Sequence, residues 1–165
     1  MPSSNDFNLT CSDITAMSYL SGSFVITDGE SASPPPTFSH DSKTSTWTVN
    51  IAADRSGSTD VANSFNSKTG GSLHNYTNAS GDKSPEKLNF YFGVVATFSV
   101  GGQTVPVTFY LGQGHYGTSN NWWLGGNNVL YSGGDPLFNV ISGSSIIATY
   151  KLSGSGSYSM TLTPA

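Results

Sequence analysis

Residues 88–111 read LNFYFGVVATFSVGGQTVPVTFYL, and this stretch decides the fold class. Phe90, Phe92, Val94, Ala96 and Phe98 alternate with Tyr91, Gly93, Val95 and Thr97. A period of two sends successive side chains to opposite faces of a strand. Gly101-Gly102 interrupts the run, and Val105, Val107, Phe109 and Leu111 alternate on the return. Two glycines between alternating runs favour a tight hairpin, because its turn needs positive φ. Both faces of the first run are partly apolar, so it is expected to be a central strand. The same pattern recurs outward from this hairpin. Residues 45–51 (STWTVNI) predict a strand. Ser145 to Leu152 and Ser157 to Leu162 predict a second strand pair around the Gly-Ser turn at 153–156.

Helix signals are few. Ser12 is placed to cap a helix over Asp13 to Leu20, with Ile14, Met17 and Leu20 on one side and Gly22 at the stop. Asp135-Pro136 is a cap and first-turn pair, which predicts one or two turns over Leu137 to Ile141. Segments 28–36 and 54–86 read as loops. No repeat and no boundary divides the chain. Residues 1–165 are therefore expected to form one mainly β domain, an antiparallel β-sandwich flanked by two short helices, with the first helix in the segment 1–23.

Only 10% of the 165 residues are charged, and the chain holds 19 glycines and 28 serines. The 12% aromatic and 36% hydrophobic content opposes disorder. The net charge of −4, with six Lys+Arg, leaves no electrostatic footprint for nucleic acid and no polybasic patch for anionic membranes. No apolar run is long enough for a spanning helix, and residues 1–10 show no secretory signal, so a soluble chain is expected. Cys11 stands alone, which excludes an internal disulfide and a multi-cysteine metal site. There is no paired-histidine zinc motif, P-loop or GxSxG elbow, and His40, His74 and His115 are scattered. No enzymatic activity, metal or cofactor is expected.

The segment from His115 to Trp123 (HYGTSNNWW) sets two adjacent tryptophans in a polar surrounding. Neighbours in a strand face opposite ways, so at most one of Trp122 and Trp123 is expected in the core. The other is expected on the surface, where its ring suits a membrane interface or a sugar face. The alternative is that both pack beneath the loop as a satellite core.

The order of segments resembles a known family. Thr46-Trp47-Thr48, six residues, then Arg55-Ser56-Gly57-Ser58-Thr59-Asp60 resembles the early strand and loop of actinoporins, the pore-forming cytolysins of sea anemones. Gly93-Val94-Val95-Ala96, followed by Gly102, Thr104, Val107 and Phe109, resembles their central strand. Ser119-Asn120-Asn121-Trp122-Trp123 looks like their aromatic loop with one extra Asn, and Tyr131 follows at a similar distance. The resemblance covers residues 44–62 and 88–131. It implies a membrane-lipid-binding, pore-forming protein that is a monomer in solution and a homo-oligomer on the membrane. Such a protein docks on choline-type head groups, chiefly sphingomyelin, and inserts an N-terminal helix. Secretion, or action on a target cell membrane, goes with that role.

On this resemblance Ser56 matches a head-group-contacting serine, and Trp122 with Trp123 matches the interfacial loop. Phe92 stands at a small aliphatic position and Tyr110 at a serine position, and Tyr116 replaces the loop tyrosine if the extra Asn shifts the register. Leu137 and Phe138 are the bulky residues of the second helix segment, where the family carries tyrosines. Fungal fruit-body lectins look similar in architecture, so a glycan is the alternative ligand, with Asn120 and its neighbours as donors and acceptors. A structural or assembly protein whose aromatics form a protein interface is the third reading.

Overall fold

The computed structural model describes residues 6–26, 35–51, 60–70, 73–75, 85–116, 119–132, 135–156 and 158–165. The strands in chain order are β1 (Asp6–Thr10), β2 (Ile14–Tyr19), β3 (Val25–Ile26), β4 (Thr37–Asp41), β5 (Thr46–Asn50), β6 (Leu73–Asn75), β7 (Lys87–Val100), β8 (Gln103–Tyr116), β9 (Ser119–Gly125), β10 (Val129–Ser132), β11 (Asp135–Ser142), β12 (Ser145–Gly156) and β13 (Ser159–Pro164). One helix occurs among the described residues, α1 (Ala62–Thr69), between β5 and β6.

The strands form two sheets. One has seven strands in the order β10-β11-β12-β13-β1-β5-β4, and the other has six in the order β2-β7-β8-β9-β6, with β3 also paired to β7. Neighbouring strands run antiparallel except β1 and β13, which are parallel. The β7–β8 hairpin forms as the sequence predicts. Val100 pairs with Gln103 across Gly101 and Gly102, whose φ angles are +56° and +76°. Positive φ at both central positions is the primed turn that matches strand twist. The strand predicted over 45–51 is β5, and the C-terminal pair is β12 with β13. β12 runs on to Gly156, through a bulge between Gly154 and Gly156, across the segment read as a turn.

Both predicted helices are strands. The segment Asp13 to Leu20 holds β2, paired to β7. Ile14 pairs with Phe98 and Ala16 with Thr97, so Thr15 is the extra residue of a β-bulge. A bulge shifts the phase of alternation by one. Ile14 and Met17 are therefore both buried although they are three apart, a spacing that imitates a helix. Leu137 to Ile141 lies within β11, between β10 and β12. Pro136 is the second residue of this strand, opposite Tyr131. The loop reading of 54–86 is also corrected in part, since it contains α1 and β6.

The two sheets share one core. Phe7 meets Trp122 at 5.5 Å between ring centroids. Phe98 meets Phe138 at 5.7 Å and Tyr150 at 5.5 Å, and Phe109 meets Phe138 at 5.8 Å. Each pair joins a ring of one sheet to a ring of the other. Burying a side chain of this size contributes about 1.5–3 kcal/mol, so these rings are a main source of cohesion. The link between β1 and β2 carries the chain from the seven-stranded to the six-stranded sheet. There the Tyr150 hydroxyl donates to Asp13 Oδ2 at 2.7 Å, and the Trp47 indole N–H donates to the Ile14 carbonyl at 3.3 Å.

A second, smaller cluster lies on the outer face of the six-stranded sheet. Val61, Ala62 and Phe65 of the helical segment pack there with Leu88, Tyr91 and Trp123. Asp60 starts this segment, its Oδ1 accepting the N–H groups of Ala62 and Leu88, each at 2.8 Å. Gly70 ends it with φ +66°, and its N–H bonds the Asn66 and Ser67 carbonyls. No helix among the described residues is long and apolar enough to cross a membrane.

Candidate functional site

The outer face of the six-stranded sheet is built from a short repeated pattern. Tyr91-Phe92-Gly93 on β7, Tyr110-Leu111-Gly112 on β8 and Trp123-Leu124-Gly125 on β9 each read aromatic, apolar, glycine. Phe92, Leu111 and Leu124 belong to the core between the sheets. The flanking aromatic and glycine positions face the other way. The antiparallel register then sets Tyr91, Gly112 and Trp123 in one row, and Gly93, Tyr110 and Gly125 in the next. Large residues therefore alternate with gaps. A Cβ on Gly112 would lie 2.9 Å from Leu88 Cδ2, and one on Gly93 would lie 2.8 Å from Leu20 Cδ2 and 3.1 Å from Tyr110 Cε1. Tyr110 stands between two glycines and stays half-buried, while Tyr91 and Trp123 are covered.

The wall beside this row comes from a break in edge pairing. β2 stops at Tyr19, opposite Val94, and β3 resumes at Val25, opposite Tyr91. The intervening residues arch over Gly93. Leu20 N–H donates to the Gly93 carbonyl at 2.9 Å, and Gly93 N–H donates to Ser23 Oγ at 2.8 Å. Ser23 Oγ in turn donates to the Leu20 carbonyl at 2.5 Å, which locks the arch. Helix α1 forms the opposite wall, held by the 2.5 Å hydrogen bond between Ser64 Oγ and the Tyr91 hydroxyl.

Between the walls is an open groove of about 780 Å³. Its lining includes Ser21, Ser23, Ser64, Ser67, Lys68 and Tyr110, together with Tyr91 and the apolar Leu20 and Val25. Among the described residues no carboxylate lines it. Lys68 Nζ lies 6.0 Å from the centroid of the Tyr110 ring, at the outer range of a cation–π contact. The described lining thus offers hydroxyls, the Lys68 ammonium and the partly open Tyr110 ring. Among the described residues that line it there is no paired acid and base and no nucleophile with an adjacent base. Among the described residues no group of three His, Cys, Asp or Glu side chains could hold a metal.

The residues proposed from sequence do not converge here. Tyr110 lines the groove. Ser56 lies outside the described residues. Phe92 and Phe138 are fully buried in the core between the sheets. Trp122 and Trp123 are both 0% exposed, which corrects the expectation that one ring must lie on the surface. The two rings do point opposite ways. Trp122 enters the core between the sheets, and Trp123 enters the cluster beneath α1. The inference failed because both faces of this sheet are covered. The segment His115 to Trp123, read as a loop, is mostly paired strand among its described residues, with Trp122 facing Gln113 and Trp123 facing Gly112. Tyr116 pairs with Ser119 and Asn120 with His115 on the same hairpin, while Tyr131 pairs with Pro136 in the other sheet.

Sequence reasoning missed Lys68, Ser64, Ser67 and the 20–25 arch. The helix bearing the first three had a legible frame, Asp60 before it and Gly70 after it, with Lys68 in the last turn. The aromatic-apolar-glycine pattern on three strands was the signal for the groove floor. Comparison of the chain with protein-family models, with curated proteins and with solved structures finds no match in any of the three.

Proposed function

We propose that this is a non-catalytic, membrane-lipid-binding protein on an actinoporin-like β-sandwich, and that the groove beside Tyr110 receives the lipid head group. The observation that supports the reading is the lining itself. It combines hydroxyls, a lysine and an aromatic ring in an open groove. Groups of these kinds hold a polar head group by hydrogen bonds and an aliphatic portion by the ring. The docking surface differs from the aromatic loop that the resemblance implies, because Trp122 and Trp123 are buried. Residues 6–19 are also two strands joined by a turn, with Phe7 and Leu9 fully buried, so they contain no helix to detach and insert. The reading is therefore of docking.

A glycan is the second reading. It is favoured by the serine hydroxyls and by the edge of Tyr110 left open between Gly93 and Gly125. Vesicle flotation across phosphatidylcholine, sphingomyelin and anionic lipid compositions, with dye-leakage and free-sugar competition arms, tests both. Lipid docking predicts co-flotation that Tyr110→Ser reduces and free sugar leaves unchanged. Absence of flotation on every composition, together with binding on a glycan array, would replace the first reading with the second.

A further inference from the structure

We infer that the groove selects an anionic phosphoryl group, held by Lys68 with the hydroxyls of Ser64 and Ser67, and not a quaternary ammonium. This rests on the head-group reading above and narrows its chemistry. Among the described residues of the lining, the polar side chains are serine and tyrosine hydroxyls and the Lys68 ammonium, with no carboxylate. Hydroxyls and an ammonium together present donors to an oxyanion, and a hydrogen bond to a charged partner is about twice as strong as a neutral one. Ser64, Ser67 and Lys68 stand at positions i, i+3 and i+4 of α1, which places them on one side of the helix. That side is the groove wall.

The aromatic face supports the same assignment. A choline-type cation needs an open aromatic face. Here the protein's own ammonium, Lys68 Nζ, already lies 6.0 Å from the Tyr110 centroid. A second cation on that ring would meet like charge, whereas a phosphoryl group beside Lys68 meets opposite charge. The end of α1 works against an anion, since its free carbonyls carry roughly half a negative charge. The Gly70 N–H caps two of those carbonyls, and the full charge of Lys68 exceeds what is left. Ser23 has a different task, because its one hydrogen goes to the Leu20 carbonyl and its oxygen accepts from Gly93 in the wall. Ser64 shares a single hydrogen bond with the Tyr91 hydroxyl, and as its acceptor keeps its own hydrogen for the oxyanion. The net charge of −4 means that the rest of the protein does not steer an anion to the groove. Recognition is by contact inside it.

The phosphoryl group could belong to a lipid or to a free phosphoester, and the experiment separates the two. The full-length chain, labelled for amide NMR, is titrated with inorganic phosphate, phosphocholine and choline chloride. It is then mixed with phosphatidylcholine vesicles with and without phosphatidic acid. Phosphate and phosphocholine should move the amide signals of Gly22, Ser67 and Lys68 and compete with each other. Choline chloride should leave them in place. Lys68→Gln should weaken both ligands about tenfold without changing the melting temperature, since Lys68 is exposed, and Lys68→Arg should restore most of the affinity. Vesicles that bind only with phosphatidic acid identify a lipid source. Phosphate binding without any vesicle binding keeps the anion site and overturns the lipid reading. Choline shifting the same amides, with Lys68→Gln neutral or strengthening, overturns the anion site and leaves the lipid reading standing. If no probe moves a groove amide, both are wrong.

Discussion

Trp122 and Trp123 are consecutive residues of β9 and are both fully buried, one between the two sheets and the other beneath α1. Trp122 has Phe7, Phe90 and Phe92 within 6.3 Å between ring centroids. Truncating a buried ring of this size leaves a cavity and costs about 3–5 kcal/mol. Trp122→Ala and Trp123→Ala should each lower stability by that amount in urea unfolding. Trp123→Ala should also loosen α1, which packs on that ring, and raise amide exchange over residues 62–69. A Trp122→Ala protein of native stability that had lost membrane binding would instead restore the aromatic-loop mechanism.

Gly93 is the point where the groove is most easily closed. A methyl group there would lie 2.8 Å from Leu20 Cδ2 and 3.1 Å from Tyr110 Cε1. Both neighbours are side chains, and the Leu20 end can move. Gly93→Ala is expected to cost about 1–2 kcal/mol in stability and to displace Leu20 or Tyr110 into the groove. Ligand binding in the groove should fall more than stability does. Gly114→Ala provides the contrast, because its Cβ would lie 2.0 Å from the Lys87 carbonyl oxygen, which is backbone. It should cost about 3 kcal/mol or more, enough to impair soluble expression. Equal stability of the two variants in thermal melts would count against this account.

Alkaline pH should destabilise the protein through the β1–β2 link. Burial pushes the Cys11 thiol up from an ordinary 9.0 to about 11, the Asp13 carboxylate adding to the effect. Burial also raises the Tyr150 phenol above its ordinary 10.0, and the hydrogen bond it donates to Asp13 raises it further. Both folded-state values lie above the unfolded ones. The folded protein thus keeps two protons that the unfolded chain has lost, and stability falls as pH climbs from 9 through 11. Unfolding free energies between pH 7 and 11.5 should be level up to about 9 and then decline, the thiol alone contributing on the order of 2 kcal/mol. Tyr150→Phe should cost about 1.5–3 kcal/mol near neutrality and flatten part of the decline. Rapid reaction of Cys11 with a thiol reagent in the native protein at pH 8 would contradict its burial.

The turn at Gly101-Gly102 offers a simple backbone test. Both residues have positive φ and nothing within 4 Å of a built Cβ, so a side chain there meets conformational strain alone. Gly101→Ala should cost about 1–2 kcal/mol. Gly101→Asn should cost less, since Asn tolerates this region and Asn-Gly is a favoured pair for such turns. Differential scanning calorimetry of the two variants checks the order, and an unchanged Gly101→Ala melting temperature would rule the strain out.

The long hairpin was legible because nothing disturbs its alternation from Phe90 to Val100, and its turn residues are those the geometry requires. β2 was not legible because the bulge at Thr15 converts a period of two into a spacing of three. β11 was misread because Asp135-Pro136 carries a helix-start signal that the pairing with β10 and β12 overrides. The site was the least accessible part. Tyr110 was named, but its gap on either side depends on Gly93 and Gly125, which register alone brings beside it. Lys68 faces it from a helix rich in Ser and Asn, residues with weak helix propensity. Low charge in the sequence also concealed how much Lys68 matters in a lining whose other described polar groups are hydroxyls.

The position of β13 has a consequence for the order of assembly. In the seven-stranded sheet it lies between β12 and β1, antiparallel to the first and parallel to the second. Without it the sheet separates into two ribbons, β10-β11-β12 and β1-β5-β4, each with an open edge facing the other. Residues Ser159 to Pro164 are therefore a keystone, and they leave the ribosome after the strands of both ribbons that they join. Until they arrive, β1 waits for a neighbour some 150 positions away, a loop closure that slows folding. A nascent chain stalled short of Ser159 would expose two unpaired strand edges, the form of this protein most prone to cross-pair with another copy.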